Sequence, residues 1–539
     1  MGQNHVRLLK RESAALRLLW TRTRLDKLTT HELYWMFTVI FQLDALDQVA
    51  CDVISSIRSM RNRRAPVNRL PWDVLALIPD FWKGHKKRRV ATTLTHVCRA
   101  WREIFISRAS LWTDFYCIDA EKTRVYLERS KSAPINIWLE REQGLSPNDP
   151  FLDIPSHAID RLKSLCVRAT PDHLEDFTKH FVHPTPFLKT LEIDGGAADI
   201  HETIPVLPSA LFGGDLSSLR KLCLHSVCTQ LPWRNMNNLT SFALGFVSQP
   251  TVSIGQILDF FESAPRLTDV NLLSAAPTLG AQEGRSVSLS HLKRLNICGS
   301  QPPSLLLDHL IIPVGAQALI ALDSVDHIDD VLPRSPNNFQ NLSNICEISL
   351  QFRSFNTCMR FTGPNGTFGV GSRFGPDPTH LVTRALERFD TSCTQRLEIE
   401  DDGRITNELH EAIRSMANLR TLKISCFDDS PFSLLDLSLA LASDGEISCP
   451  KLEKLIYHVS GVFDVGDLVD FVAARASRGV PLKSVEVVSS EEPISTEEAA
   501  GLQEHVSHVK IGFERNEGDY LHEDIDDEGE DDDDDWIDL

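Results

Sequence analysis

Residues 363–371 are the part of the sequence that comes nearest to a phosphate-binding loop, because four of these nine residues are glycine. A P-loop ends in G-K-[ST], and this stretch has no such ending. A dinucleotide-binding G-x-G-x-x-G pattern would need glycine at position 374, which is Phe374. We therefore interpret residues 363–378 as a surface insertion between two repeats that contributes to binding specificity rather than to catalysis.

Other residues with catalytic or metal-binding side chains lack the neighbours that their chemistry needs. His505 and His508 are three positions apart, but nothing nearby in the sequence completes a metal site. Asp401 and Asp402 precede a glycine and are typical of a turn. The sequence has neither H-E-x-x-H nor G-x-S-x-G. We expect a protein that is not an enzyme by its own chemistry and that uses no metal and no cofactor.

The twelve cysteines are scattered, and no two have the C-x-x-C spacing of a zinc or redox site. Cys166 and Cys223 lie within apolar, strand-like runs. Small buried thiols in a reducing compartment explain this distribution better than disulfides do. We therefore expect reduced cysteines and a cytoplasmic or nuclear location.

The net charge of -20 is concentrated at one end of the chain. Residues 514–539 contain fifteen Asp and Glu and one Arg, whereas residues 1–69 contain twelve Lys and Arg and six acids. A run of acids cannot bury apolar area and repels itself, so we expect residues 513–539 to be a disordered tail. The most apolar stretch, residues 33–46, is interrupted by Gln42 and Asp44 and is too short to span a membrane. We therefore expect no membrane partner.

An amphipathic helix is predicted near the N-terminus, because apolar residues recur every three to four positions from Leu33 to Ile57. Residues 61–66 form a basic linker whose last residue, Pro66, discourages continuation of the helix. A basic run of this kind also suits nucleic-acid contact or nuclear import. We interpret it as a solvated linker and do not expect a nucleic-acid partner.

A compact helical block is predicted over residues 67–115. Its first helix starts at the dipeptide Leu70-Pro71 and ends early at Pro79. A basic loop over residues 83–89 leads to a second helix, whose apolar face runs through residues 94–105. A block of about 45 residues is too small to hide several large apolar side chains unaided, and exposed apolar surface usually marks a partner site. The alternative is that the block packs on the N-terminal helix and the first repeats.

Beyond about residue 160, the fragment L-x-x-L-x-L recurs with conservative replacements. Its spacing is irregular but near that of leucine-rich repeats, and helical patterns such as the one at residues 254–261 lie between the copies. One strand and one helix cannot bury their own apolar faces, so stacked units would share a continuous core. The Asn or Cys that usually follows the strand is missing, which predicts an irregular solenoid; a different α/β fold is the alternative. The copies begin at residues 162, 188, 219, 239, 267, 292, 345, 419, 452, 482 and 506.

The helical block resembles the F-box family, and specifically the F-box-like domain that is common in mushroom-forming fungi. Three motifs carry the resemblance: L-P-W-D-V-L at residues 70–75, T-H-V-C-R-A-W-R-E-I at residues 95–104 and L-W-T at residues 111–113. The early break at Pro79 and the basic loop that follows it depart from the usual pattern of the family.

The resemblance implies a three-helix domain that docks on a Skp-type adaptor of a cullin–RING ubiquitin ligase, while the downstream domain holds a protein substrate. It places five residues at the adaptor face or directly behind it: Leu70, Pro71, Val74, Leu75 and Ile78. It assigns five more to the core of the domain or to the interface: Val97, Cys98, Trp101, Leu111 and Trp112.

The sequence thus predicts N-terminal α-helices and a three-helix F-box domain, then an α/β leucine-rich-repeat-like solenoid and an acidic tail. The predicted boundaries are 1–66 for the helical region and linker, 67–115 for the F-box domain, 116–512 for the solenoid and 513–539 for the tail. The predicted function is that of a non-catalytic, substrate-recognition subunit of a Skp–cullin–F-box ubiquitin ligase. The alternative is a repeat protein that chaperones basic, histone-like partners through its acidic tail without ubiquitin transfer. A purely structural scaffold is a third possibility.

Overall fold

The structure is a computed structural model, and the chain separates into two compact units. The first consists of Met1–Trp112 with Arg129–Lys131, and the second consists of Thr113–Glu128 with Ser132–Leu539. Helices make up the first unit as far as it is described, and the second is a large mixed α/β unit with one long sheet. The residues that the structure describes are 29–81, 86–117, 120–141, 158–196, 205–208, 211–229, 235–245, 252–274, 285–299, 302–323, 325, 327–334, 338–353, 356–372, 378–401, 409, 413–414, 416–426, 449–460, 464–490 and 494–513.

Within its described residues, the first unit has one long α-helix followed by three short α-helices. The long helix ends just before Pro66. Its last turn carries arginines, whose positive charges interact favourably with the negative end of the helix dipole. The stretch that the sequence analysis interpreted as a basic linker is therefore mostly helical. The helices are α1 (Thr30–Arg64), α2 (Trp72–Leu77), α3 (Lys86–Thr95) and α4 (Arg99–Ser107).

Helix α2 is short, as the sequence predicts from the proline that follows it. Pro71 stands at its N-cap, and Ile78–Phe81, which contains Pro79, continues it as one 3-10 turn. The single helix predicted over residues 94–105 is wrong, because α3 and α4 are separated there. Cys98 has extended backbone (φ -160°) at the N-cap of α4, so the chain turns between the two helices. The predicted basic loop is shorter than expected, since α3 already begins at Lys86.

Aromatic side chains form the core of the small unit. The rings of Trp101 and Phe105 meet edge to face with centroids 5.5 Å apart. The indole Nε1 of Trp112 donates a hydrogen bond to the carbonyl oxygen of Phe105 at 2.9 Å, which satisfies a buried donor. These three side chains are buried together with Leu94 and Ile104.

The second unit contains one sheet of seventeen strands. Neighbouring strands are parallel and in sequential order, except around β15, which is antiparallel to both of its neighbours. Along the sheet the order is β1, β2, β3, β4, β6, β8, β9, β11, β13, β16, β15, β14, β17, β18, β19, β20, β21. Two separate parallel ladders join β5 to β7 and β10 to β12.

The strand and helix bounds are as follows. The strands are β1 (Asp114–Tyr116), β2 (Ile135–Arg141), β3 (Leu162–Ala169), β4 (Thr190–Asp194), β5 (Val206–Leu207), β6 (Lys221–His225), β7 (Cys228–Thr229), β8 (Ser241–Gly245), β9 (Asp269–Leu273), β10 (Val287–Ser288), β11 (Arg294–Gly299), β12 (Leu310–Ile311), β13 (Gln317–Leu322), β14 (Glu347–Arg353), β15 (Asn356–Gly363), β16 (Gly366–Ser372), β17 (Arg396–Asp401), β18 (Thr421–Cys426), β19 (Lys454–Val459), β20 (Ser484–Ser489) and β21 (His508–Phe513). The helices are α5 (Ala120–Arg129), α6 (Pro171–His180), α7 (Ile254–Ser263), α8 (Ser304–Leu307), α9 (Pro378–Arg388), α10 (Val465–Ser477) and α11 (Thr496–Gln503).

Most strands of the sheet bury alternate side chains, so the sheet has one core face and one open face. On the core face, one residue from every strand joins a continuous row that includes Leu165, Leu191, Leu222 and, far along the sheet, Leu397. These leucines are fully buried. Each contributes about 1.5–3 kcal/mol of burial free energy, and the row is shared between neighbouring strands. All eleven L-x-x-L-x-L fragments coincide with strands of the sheet.

A three-stranded antiparallel meander interrupts the sequential order of the sheet. The chain passes from β13 to β14 without pairing them, turns back through β15 and returns as β16 beside β13. The prediction that residues 363–378 form a surface insertion is therefore wrong for the glycine-rich part, which is strand β16 in the middle of the sheet. A side chain at Gly369 would lie 2.9 Å from Cδ1 of Leu319, so the glycine permits close packing with β13.

Candidate functional site

Two surfaces of the described chain are candidates for binding a partner. One lies on the short helices of the first unit, and the other is the open face of the long sheet. Among the described residues, no group of three His, Cys, Asp or Glu side chains is arranged to hold a metal ion. None of the described helices is both long enough and apolar enough to cross a lipid bilayer.

The structure divides the five residues predicted to face the adaptor. Leu70, Pro71 and Val74 are exposed, and Ile78 is half-buried. Leu75 is only 2% exposed and belongs to the core of the small unit. Leu75 can therefore support a docking surface from behind but cannot form it, and a charge at this position would test folding instead of docking.

Three exposed apolar residues of the same region escaped the sequence analysis. Trp72 and Leu77 lie at the two ends of α2, and Phe81 ends the 3-10 turn after it. Leu77 is 52% exposed and Phe81 is 83% exposed. Burial of a Phe side chain is worth about 1.5–3 kcal/mol. Phe81 gains little of this free energy, because its side chain stays exposed. The short segment from Leu70 to Phe81 thus presents an apolar surface that the described residues leave open.

The five residues assigned to the core or the interface also separate into two groups. Trp101, Leu111 and Trp112 are buried, and Nε1 of Trp101 donates to Oδ1 of Asn68. Cys98 is half-buried at the N-cap of α4, and Val97 is exposed in the break between α3 and α4. Val97 is therefore a surface residue, whereas the tryptophans hold the small unit together.

The open face of the sheet consists of side chains that stand beside one another because the strands are in register. In the middle of each strand, one such row runs from Trp138 through Cys166 and Glu192 to Cys223, and onward to the last strand. Most of these side chains are half-buried by their neighbours in the row. The arrangement makes a continuous surface whose character changes along the sheet.

At the C-terminal end of the sheet, the open face is covered by paired charges. Lys423 on β18 contacts Glu398 on β17. Lys510 and Lys454 both contact Glu486 on β20, with 3.4 Å between Lys454 Nζ and Glu486 Oε2. Such cross-strand pairs contribute about 0.2–1 kcal/mol each and mainly fix the register of the strands.

At the N-terminal end, the open face carries two cysteines and a histidine. Burial, reinforced by Glu192, raises the pKa of the Cys166 thiol to about 12. Burial and then Glu192 likewise raise the pKa of Cys223 to about 12. Nε2 of His225 lies 2.9 Å from Sγ of Cys223, and burial lowers the pKa of this imidazole. Both groups are neutral at pH 7, so the pair is not the thiolate–imidazolium pair of a cysteine nucleophile.

On five strands between these ends, from β8 to β16, the middle row of the open face carries no charged side chain. The middle row passes through Ala243, Asn271, Asn296, Leu319 and Gly369 on five consecutive strands. A partner that packs on this row meets uncharged side chains, and the ion pair between Arg294 and Asp269 lies beside the row on the same face. This central part of the open face is the second candidate surface.

The remaining residues with possible chemistry do not come together. His505 lies in the turn after α11, and His508 begins the edge strand β21. Asp401 ends β17, and Asp402 lies outside the described residues. The acidic tail also lies outside them, apart from Phe513. No family model matches this chain, and no curated protein matches it.

Proposed function

We propose that this chain is the substrate-recognition subunit of a Skp–cullin–F-box ubiquitin ligase. In this proposal the helical block over residues 67–115 is an F-box domain that docks on a Skp-type adaptor. The observation that carries the proposal is the open apolar surface on Leu70–Phe81, in the same segment that holds the L-P motif. An apolar surface of this kind on a small helical unit is typical of a protein interface.

The strand-rich unit is, in this proposal, an irregular leucine-rich-repeat solenoid that binds the protein substrate. Parallel strands in sequential order, each carrying the same apolar row, are what stacked repeats of one strand and one connecting segment would form. The part of the open face around the uncharged middle row from β8 to β16 is then the surface that selects the substrate. The chain supplies position and effective concentration, and its partners supply the chemistry of ubiquitin transfer.

The experiment that tests the proposal measures binding of the purified full-length chain to a purified Skp-type adaptor by calorimetry. Leu77→Asp puts a charge on the exposed apolar surface without entering the core. We expect a loss of at least about 2 kcal/mol of binding free energy, which is about 30-fold in Kd, if Leu77 lies within the interface. The matched control is Phe187→Asp, which changes a residue of the second unit that is 58% exposed.

Equal adaptor binding by the wild-type and Leu77→Asp chains would contradict the docking surface. No adaptor binding by a folded wild-type chain would contradict the proposal as a whole, and the acidic tail with basic partners would become the better hypothesis. Leu75→Asp serves a different purpose, because this buried residue should unfold the small unit and abolish binding for that reason.

A further inference from the structure

Helix α1 exposes a long stripe of apolar side chains that nothing in the described chain covers. Leu46 is 65% exposed and Ile57 is 55% exposed, and the apolar residues between them are also open to solvent. The far end of the helix is fixed by contacts: Oγ of Ser55 accepts a hydrogen bond from Arg99, and the carbonyl of Asn62 accepts one from Asn68. A 35-residue helix with so much open apolar area is typical of a helix that packs against another helix.

The spacing of the stripe identifies the kind of partner. From Val39 to Met60 one set of apolar residues is spaced in alternating steps of four and three, which is the heptad pattern of a coiled coil, while Ile40, Phe41, Ala45, Val49 and Ile54 lie outside this set. With Met36 in the sequence before them, the pattern spans four heptads, enough for a stable pair of helices. The a positions are Leu43, Ala50 and Ile57, and the d positions are Val39, Leu46, Val53 and Met60.

We propose that α1 forms a parallel coiled coil with α1 of a second copy of this chain. A coiled-coil partner needs the same 3.5-residue period over the same length. The next longest helix within the described residues is α10, with 13 residues, so the described chain offers no such partner. A second copy offers a helix of equal length with the same stripe.

The charges beside the stripe favour the parallel arrangement. In a parallel pair, each e position faces the preceding g position of the partner helix. The charged e residues Asp47 and Arg61 then face the uncharged g residues Gln42 and Ser56. In an antiparallel pair with full overlap, Asp47 would instead lie beside Asp47 of the other copy, and like charges at that position are unfavourable.

The test is the mass of the full-length chain, measured by light scattering during size-exclusion chromatography at micromolar concentration. We expect twice the chain mass of 60.5 kDa for the wild type. The double variant Leu46→Asp/Val53→Asp should fall to the single mass, and the thermal unfolding of the second unit should not change. Phe41→Asp is the matched control, because Phe41 is exposed at an f position outside the stripe. This control should keep the double mass.

A cross-linking experiment tests the direction of the pair. In a Cys51→Ser background, Ile57→Cys should form a disulfide-linked dimer on oxidation, because equivalent a positions meet only in a parallel pair. A wild-type chain of single mass would overturn the proposal, as would a double variant that stays dimeric or a Phe41→Asp chain that dissociates. A dimer in which the Ile57→Cys variant forms no cross-link would overturn the parallel direction. None of these results depends on binding of an adaptor.

Discussion

The two units treat the same kind of residue in opposite ways. Leu397 in the long sheet is completely buried, whereas Leu77 in the small unit is half exposed. In the sheet, each strand covers part of the apolar surface of the next, so every added strand buries the one before it. The small unit has no such layer, and its outer apolar side chains stay open in the described chain. An apolar pattern in a sequence therefore predicts burial but does not identify what will cover it.

The largest expected effect comes from putting the same charge into both units. Leu397→Asp places a carboxylate between Leu422 and Ile348 on the buried row, and we expect it to cost about 4–5 kcal/mol or more in the free energy of unfolding of the second unit. Leu77→Asp should cost less than about 1 kcal/mol in the first unit, since its carboxylate stays in water and meets only the weak, unfavourable dipole at the C-terminal end of α2. Urea unfolding followed by circular dichroism measures both. Similar losses for the two variants would remove the contrast between the units.

A smaller difference in stability is expected between alanine substitutions at two glycines, Gly366 at the start of β16 and Gly315 just before β13. Gly366 has φ +134°, and a side chain there would overlap the carbonyl oxygen of Ala316. Gly315 has φ +87° but has open space where a side chain would stand. We expect Gly366→Ala to lower the free energy of unfolding by about 2–4 kcal/mol and Gly315→Ala by about 1 kcal/mol. Denaturant midpoints of the two variants measure the difference, and equal midpoints would mean that β13 and β16 do not pack so closely.

The smallest effect concerns the charged end of the open face. Hydrogen bonds from Lys510 and then Lys454 lower the pKa of Glu486. A carboxylate with a lowered pKa stabilises the fold above its ordinary pKa of about 4.3, and this contribution is lost as the pH falls through the lowered value. Glu486→Gln should therefore be less stable than wild type at pH 7 and approach it in acid. Thermal unfolding from pH 7 to 3 measures this, and Glu504→Gln, at an exposed position after α11, should not show the same convergence.

Much of the sheet could be predicted from the sequence, because a leucine or a conservative replacement at each of three fixed positions marks a strand. The missed strands β13 and β17 lack a large apolar residue at one or two of these positions. In β17 the first position is Thr394, which is buried all the same, and in β13 the pattern begins with Gly315 and Ala318. The meander was missed for a different reason. Glycines that permit close packing of β16 on β13 look, in a sequence, the same as glycines of a loop.

The exposed apolar surface on Leu70–Phe81 was harder to predict than the sheet. Six of the seven residues from Trp72 to Ile78 are apolar, so the helical period does not distinguish an inner from an outer side. Leu75 was grouped with residues at the adaptor face or directly behind it and is buried, whereas Leu77 was not assigned and is exposed. Only the position of the helix on its neighbours decides between them. The tryptophans of α4 and the following turn, which were assigned to the core or the interface, are both buried.

The antiparallel meander also has a consequence for the order in which the chain folds. From β1 to β13, each new strand of the long sheet can pair with one already formed, so this part can grow along the chain in the direction of synthesis. The second pairing of β13 forms later, because its partner in that pairing, β16, is synthesised only after β14 and β15. The meander can form by itself through short local turns, and β17 extends it on the other side. We expect the sheet to assemble from two growth points, with the pairing of β13 and β16 as the late step that joins them.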